Sequence, residues 1–497
     1  MAEERRDAPG AAFMDAAALE THMSVLFFYG DRVVKVRKPV SYGFADFREA
    51  DARREDCLRE VELNRRLSPD VYVGTATVLV GGRAAEHAVV MRRLPADRNL
   101  ASMVQRGEHV DQELWRIAET LARFHRTARR SPMIDTSATA DALWQRWQAT
   151  EEALGRFIGP VVDHDDYRRL TTLAQRFLTG WHTLFDRRIG DGAICDGHGD
   201  LQGADVFCLG DGPRILDCLE FDDRLRHADV VADAAFLAQD LERIGAPREA
   251  RVFADAYRTA SASDHPESLL HFYVAVRAHV RLLVECLRLE QGLGALAAEP
   301  SAVLAQAISH MEAAIPRLVL VGGLPGTGKS TLASFVAREL GAALFSTDEL
   351  RARGTTDDLG PVPFATGAYT PEKRLGVYED LVAKAADPLT GGRSVVLDAT
   401  WSDAAFRDLA STTARRTGAA LVELECRCAP EVRASRIAGR PHRGRGDSHA
   451  TVDVADALAG VADPWPTARV LDTSGAFDDS VKWALEALAA SLSTSGC

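Results

Sequence analysis

Apolar and polar positions change their period twice along this chain. Over residues 26–40 they alternate, with β-branched Val33, Val34 and Val36, which predicts a hairpin turning at Gly30-Asp31. A helix is expected over 48–67, then strands over 71–80 and 87–92. Beyond Leu94-Pro95 the spacing is helical over 114–129, 140–157 and 167–185. Short strands near 193–195, 206–209 and 214–217 interrupt it, before helices over 232–244 and 266–291. This reads as a small β-rich lobe followed by a helical one. After an alanine-rich connection at 293–300 and a helix ending near Pro316, the pattern changes again. Apolar runs at 318–321, 344–346, 394–397, 421–427 and 470–472 alternate with helical stretches, predicting a parallel sheet with right-handed crossovers.

Composition narrows the class. The chain has 497 residues, too many for one core, with 46% hydrophobic and 26% charged residues. Lysine and arginine total 59 against 72 acids, a net charge of −13, which argues against nucleic acid as a partner. No apolar run approaches the roughly 20 residues of a membrane span, and the first ten residues are charged rather than signal-like. With 8 cysteines and no paired C-x-x-C, a cytoplasmic protein with reduced thiols is expected.

Gly323-Leu324-Pro325-Gly326-Thr327-Gly328-Lys329-Ser330 carries the clearest chemistry. It fits G-x-x-x-x-G-K-[ST] between an apolar strand and a helix-forming segment. Glycines let the backbone N–H groups curl inward around phosphate oxygens, and the following helix, expected over 330–340 with Thr331 among the nucleotide-binding residues, adds its dipole. Lys329 would reach the β- and γ-phosphates of ATP, and Ser330 would ligate Mg2+. Asp348 and Arg351 follow the second strand. Asp348 would bind or deprotonate a substrate hydroxyl, or Thr347 or Asp348 would simply cap a helix. Asp398 ends an apolar strand, the place for a metal-orienting carboxylate. Arg433, Arg436 and Arg440 share one helix face and could close over triphosphate, and 439–446 reads as a lid. This half resembles the small P-loop kinases of sugars, nucleosides and other hydroxyl compounds, which implies ATP-dependent transfer to a small acceptor.

A second constellation lies upstream. His198-Gly199-Asp200 precedes Asp205 and a short strand, and Asp217 closes the next strand. Asp200 would take the acceptor's proton, while Asp205 and Asp217 would hold magnesium by hard oxygens. His198 is expected to brace the loop. Residues 24–290 resemble the aminoglycoside-phosphotransferase-like fold, related to protein kinases, whose motif H-x-D-x-x-x-x-N is met except that Asp205 replaces the asparagine. The resemblance implies a strand lysine at Lys35 paired with Glu60, with Lys38 and Glu62 as one-step alternatives. It also implies an adenine hinge at Met91-Arg92-Arg93-Leu94-Pro95. The family's glycine-rich loop is missing: residues 26–31 hold one glycine. Asp222, Asp223, Asp229 and Asp233 could face an amine-bearing acceptor or be solvated or capping residues.

The order of the halves is similar to that of a bacterial family that fuses a kinase-like domain to a P-loop kinase. The fold expected is therefore α/β multidomain, with an extension over 1–23, a bilobal kinase-like α+β domain (lobes 24–95 and 96–315) and a P-loop α/β domain over 316–497. The expected activity is ATP- and magnesium-dependent phosphorylation of a sugar, nucleoside or aminoglycoside-like hydroxyl. The alternative is a regulatory protein whose N-terminal half binds ligand without phosphorylating it.

Overall fold

A computed structural model describes residues 17–21, 23–42, 45–81, 83–292, 299–354, 371–439 and 451–490. Packing divides them into two units. The first comprises the described residues up to Phe157, Arg188–Asp264 and Val276–Val303; the second comprises Ile158–Arg187, His265–Ala275 and the described chain from Leu304 onward.

The first unit opens on a five-stranded antiparallel sheet ordered Ala17–Glu20, Ser24–Tyr29, Arg32–Arg37, Arg83–Arg92, Tyr72–Val80. The hairpin turns at Gly30, whose φ of 55° is left-handed, as expected. Alternation along Arg32–Arg37 puts Val33, Lys35 and Arg37 on one face, toward the helix Ala50–Asn64. Val33, Val61, Val71, Tyr72 and Val89 close the core between sheet and helix. Two short antiparallel strand pairs follow, the second a hairpin enclosed by the first. Ile194–Asp196 pairs with His227–Asp229, and Val206–Leu209 pairs with Gly212–Ile215.

The second unit is built on a parallel sheet ordered Ala343–Ser346, Val395–Asp398, Arg317–Gly322, Ala420–Arg427, Arg469–Asp472. Both faces are buried, which explains the continuous apolar runs. Leu318, Leu320, Val395 and Leu397 pack on Tyr378, Leu381 and Phe406. Val319, Val321 and Val396 pack on Leu332, Val336 and Leu488. The sheet matches the expected α/β class, and all five strands match in position.

Packing does not follow a single cut near residue 316. Phe177 stacks on Trp181 and Phe272 at centroid distances of 5.4 and 4.8 Å. The Trp181 indole donates to the Leu389 carbonyl at 2.7 Å, and Ser268 donates to that of Gly392 at 2.6 Å. These aromatic and hydrogen-bonded contacts assign two pieces of the expected helical lobe to the P-loop unit. The helix expected over 167–185 is two, His164–Gly180 and His182–Gly190, broken where Trp181 leaves helical geometry after Gly180. The helix Pro247–Ser261 was not anticipated, although Pro247 at its first turn and Ala250, Phe253 and Tyr257 on one face are the signals for it. Among the described residues no helix is long and apolar enough to cross a membrane. The seven described cysteines are free, and six are buried.

Candidate active sites

The strand Arg317–Gly322 occupies the centre of its sheet, with the chain continuing to one side and later returning on the other. Such a switch point opens a crevice at the carboxyl ends of the strands. The phosphate loop leaves that strand directly into the helix Lys329–Glu339. Gly323, Gly326 and Gly328 have φ of 138°, 90° and 87°, a region that disfavours any side chain. A Cβ on Gly323 would lie 2.5 Å from the Cys426 carbonyl, and one on Gly326 would lie 2.9 Å from the Arg433 backbone. The loop is pinned from outside. Thr327 donates its hydroxyl to the Leu324 carbonyl at 2.8 Å, Thr473 donates to the Thr327 carbonyl at 2.6 Å, and the Gly323 amide donates to the Thr400 carbonyl at 3.2 Å.

Lys329 is buried, whereas Ser330 and Thr331 are exposed on the first helical turn. Asp398, on the strand beside the loop, has Lys329 and Ser330 as neighbours. Its Oδ1 is buried with no partner among the described residues. Burial pushes its carboxyl above the usual range, opposed by Lys329 and Ser330. A buried, half-unpaired carboxylate beside a hydroxyl is a hard-oxygen site that fits magnesium.

Around this loop the expected residues are distributed unevenly. Asp348 pairs with Arg351 at 3.0 Å on their own helix, and Ser346, not Thr347 or Asp348, accepts the capping amide of Glu349 at 3.1 Å. Of the three arginines expected on one helix face, two are described. Arg433 packs on Gly326 and pairs with Asp456, while Arg436 donates to the Thr473 carbonyl at 2.7 Å with its guanidinium beside Gly328. Arg440 and most of the 439–446 stretch lie outside the described residues.

In the first unit, Lys35 Nζ lies 2.9 Å from Glu60 and 2.8 Å from Asp217. The alternatives are otherwise engaged: Lys38 pairs with Glu20 at 2.6 Å, and Glu62 is exposed. Arg37 supports the pair from behind, held by Asp56 at 2.5 Å, by Glu60 at 3.3 Å and by Glu220. Asp217 sits at φ 61°, and the charge of Lys35, working against burial, keeps its carboxyl low. Half-buried Asp205 goes the other way, pushed well above its ordinary range by burial and by Asp217, Asp200 and Asp240. Two crowded carboxylates, one resisting ionisation, are also a donor set that a divalent cation would relieve. The expected hinge is narrower than its five residues, because the amides of Arg92 and Arg93 already donate to Val71 and Asp31.

The loop carrying Asp200 is braced by Asp233. That carboxylate accepts the amides of His198 and Gly199 at 2.7 and 2.9 Å and meets His125 at 3.0 Å. His198 accepts the Asp200 amide at Nδ1 (3.3 Å) and so donates from Nε2 to the Leu216 carbonyl at 3.0 Å, a structural imidazole. The acids considered for an amine pocket are used internally. Asp222 caps a turn and holds Arg224 at 2.8 Å, Asp223 pairs with Arg59 and Arg226, and Asp229 grips Arg188 at 2.7 Å.

Two curated proteins, Uncharacterized protein Rv2004c of Mycobacterium tuberculosis and Uncharacterized protein Mb2027c of Mycobacterium bovis, are each 42% identical over 468 residues, covering 93% of this chain and of their own. The chain belongs to their family. Within it, residues 318–464 match the AAA domain. Among solved structures, the GDP complex of aminoglycoside 2'-phosphotransferase-IIIa is 17% identical with a TM-score of 0.41, over 61% of this chain and 94% of its own. A gluconokinase from Sinorhizobium meliloti 1021 is 17% identical with a TM-score of 0.27, over 35% and 92%. The chain itself joins an α+β unit with a five-stranded antiparallel sheet to an α/β unit whose parallel sheet carries the phosphate loop.

Two residues beside the candidate Asp200 site escaped sequence reasoning. Arg277 pairs with Asp200, and Arg281 donates to the Gln202 side chain. The available signal was a pair of arginines four apart on a largely apolar helix, continued by Glu285 and Arg288.

Proposed function

We propose that this chain is an ATP- and magnesium-dependent phosphotransferase for a small hydroxyl compound, with its principal site at the phosphate loop. The observation that carries the reading is the orphaned Asp398 Oδ1 beside Ser330, at the end of the strand next to the loop. Ser330 and Asp398 would hold the ion, whose positive charge would neutralise the phosphates. Lys329 and the loop amides would bind the β- and γ-phosphates, with Arg436 beside them. Asp348, at the mouth of the sheet and partly exposed, would orient the acceptor hydroxyl, with Arg351 fixing its rotamer.

The test is an acceptor screen by ADP release, with mass spectrometry to locate the new phosphate. Lys329→Ala should remove most of the transfer, and a variant that keeps it refutes the P-loop site as principal catalyst.

A second phosphotransfer centre in the first unit is favoured by the Lys35 bridge between Glu60 and Asp217. Lys35 would touch nucleotide phosphates, Asp205 and Asp217 would hold metal, and Asp200 would accept the hydroxyl proton. Asp200→Asn should then abolish a product that Lys329→Ala leaves. If no product depends on Asp200, the first unit is a ligand-binding module.

A further inference from the structure

Asp200 has two arginines close by as well as the carboxylate of Asp205. On the helix Glu267–Glu290, Arg277 and Arg281 lie one turn apart and reach the same loop, the first to Asp200 and the second to the neutral amide of Gln202. They are only 8% and 7% exposed, and the Nε of each is buried without an acceptor among the described residues. Arg281's other charged neighbours, Arg243 and Asp240, satisfy each other at 2.6 Å. Glu285, a turn further along on the same helix, is buried with neither carboxylate oxygen hydrogen-bonded among the described residues, and its ion-pair contact is Arg288 at 3.9 Å. Two guanidinium groups therefore share one carboxylate. Burial and the neighbouring Arg277 push Arg281 down to about 10.

We propose that the acceptor of the Asp200 site carries an anionic group, a carboxylate or a phosphate ester, held by Arg277 and Arg281. This rests on reading the first unit as a phosphotransfer centre. Planar guanidinium forks match either anion with paired hydrogen bonds. A cationic acceptor would meet two buried like charges, and the acids that could have offset them are already paired. The anion also competes with Asp200 for Arg277. As Arg277 turns to the ligand, the Asp200 carboxylate is released to the acceptor hydroxyl. The hydroxyl oxygen then bonds the γ-phosphorus as the bond to the β–γ bridging oxygen breaks; that oxygen leaves with the electron pair on ADP, and the hydroxyl proton passes to Asp200.

The experiment uses the full chain carrying Lys329→Ala, which silences the other site. Glucuronate, glucose 6-phosphate, glucose and glucosamine share one ring and differ in charge. Calorimetry measures binding of each, and mass spectrometry with ATP and magnesium measures phosphorylation. At least one of the two anions should bind, about tenfold or more tighter than glucose or glucosamine, and which one distinguishes carboxylate from phosphate ester. Arg281→Gln should erase the preference while Arg281→Lys keeps part of it, with circular dichroism showing both folded. Preference for glucose or glucosamine, binding of no anion, or an anion preference untouched by Arg281→Gln overturns the inference. Arg281-dependent anion binding without any Asp200-dependent phosphorylation upholds anion recognition and refutes instead the second phosphotransfer centre.

Discussion

Lys35 and Asp217 are 182 positions apart in sequence and meet at 2.8 Å. Lys35 is also the near neighbour of Glu60, which is almost fully buried. Replacing Lys35 with Met removes one cation from between two carboxylates. The expected stability loss is about 3 kcal/mol, dominated by buried Glu60, which keeps only Arg37 at 3.3 Å. Chemical denaturation measures it, and a loss confined to a few tenths would mean that Arg37 alone neutralises the group. In a Lys329→Ala background the same change should weaken ATP binding at least tenfold.

Asp205 stands where the resembling motif carries asparagine. Its carboxyl is raised by burial and by three neighbouring acids, so at neutral pH its ionised form strains the fold. Asp205→Asn should therefore raise the melting temperature in chelator by a few degrees, on the order of 1 kcal/mol. It should also shrink the rise produced by magnesium. Equal melting curves for the two proteins in chelator would show that the repulsion is not felt.

Asp233 gives a pH signature of opposite sign. Burial opposes its ionisation, yet hydrogen bonds from His125 and the His198 amide hold it down to about 2. A carboxylate whose folded pKa lies below the unfolded value stabilises the fold above that value. The stabilisation is lost as pH falls from about 4 toward 2, amounting to about 2 kcal/mol. Asp233→Asn should be less stable at pH 7 and show a flatter slope in that acid window. Urea titrations at several pH values would refute the assignment if the slope persisted unchanged.

Much of this was legible in the chain. The phosphate loop and the strand ending at Asp398 depend on local spacing and period, which sequence displays directly, whereas Lys35 with Glu60 was implied by the family resemblance. The Arg277–Asp200 pair did not show, because 77 positions separate the partners and a lone arginine on a helix ordinarily points to water. The fates of Asp223 and Asp229 were hidden for the same reason, since Arg59 and Arg188 are brought to them by folding, whereas Asp222 takes the local capping role that was among its readings. Trp181 broke a helix that its periodicity favoured, because its indole had a carbonyl to reach on another helix. Burial of polar partners is a tertiary property, and pattern reading stops there.

Gly322, just before the motif, is set by packing. A Cβ there would lie 2.2 Å from the buried Trp465 ring and 3.2 Å from Trp401. Gly322→Ala should cost about 1–3 kcal/mol. A Trp465→Leu partner change should recover most of that difference in a double-mutant cycle. Full additivity of the two changes would place the strain elsewhere.

The buried thiols give each unit a clock. Cys57 lies under the Lys35 sheet and Cys426 beside the phosphate loop, and burial pushes both up to about 12. In the closed fold neither forms the thiolate that alkylating reagents need. Reaction at Cys57 then times the opening of the first unit and reaction at Cys426 that of the second. One chain under one reagent would report whether ATP, or an acceptor, quiets the two halves together or one at a time.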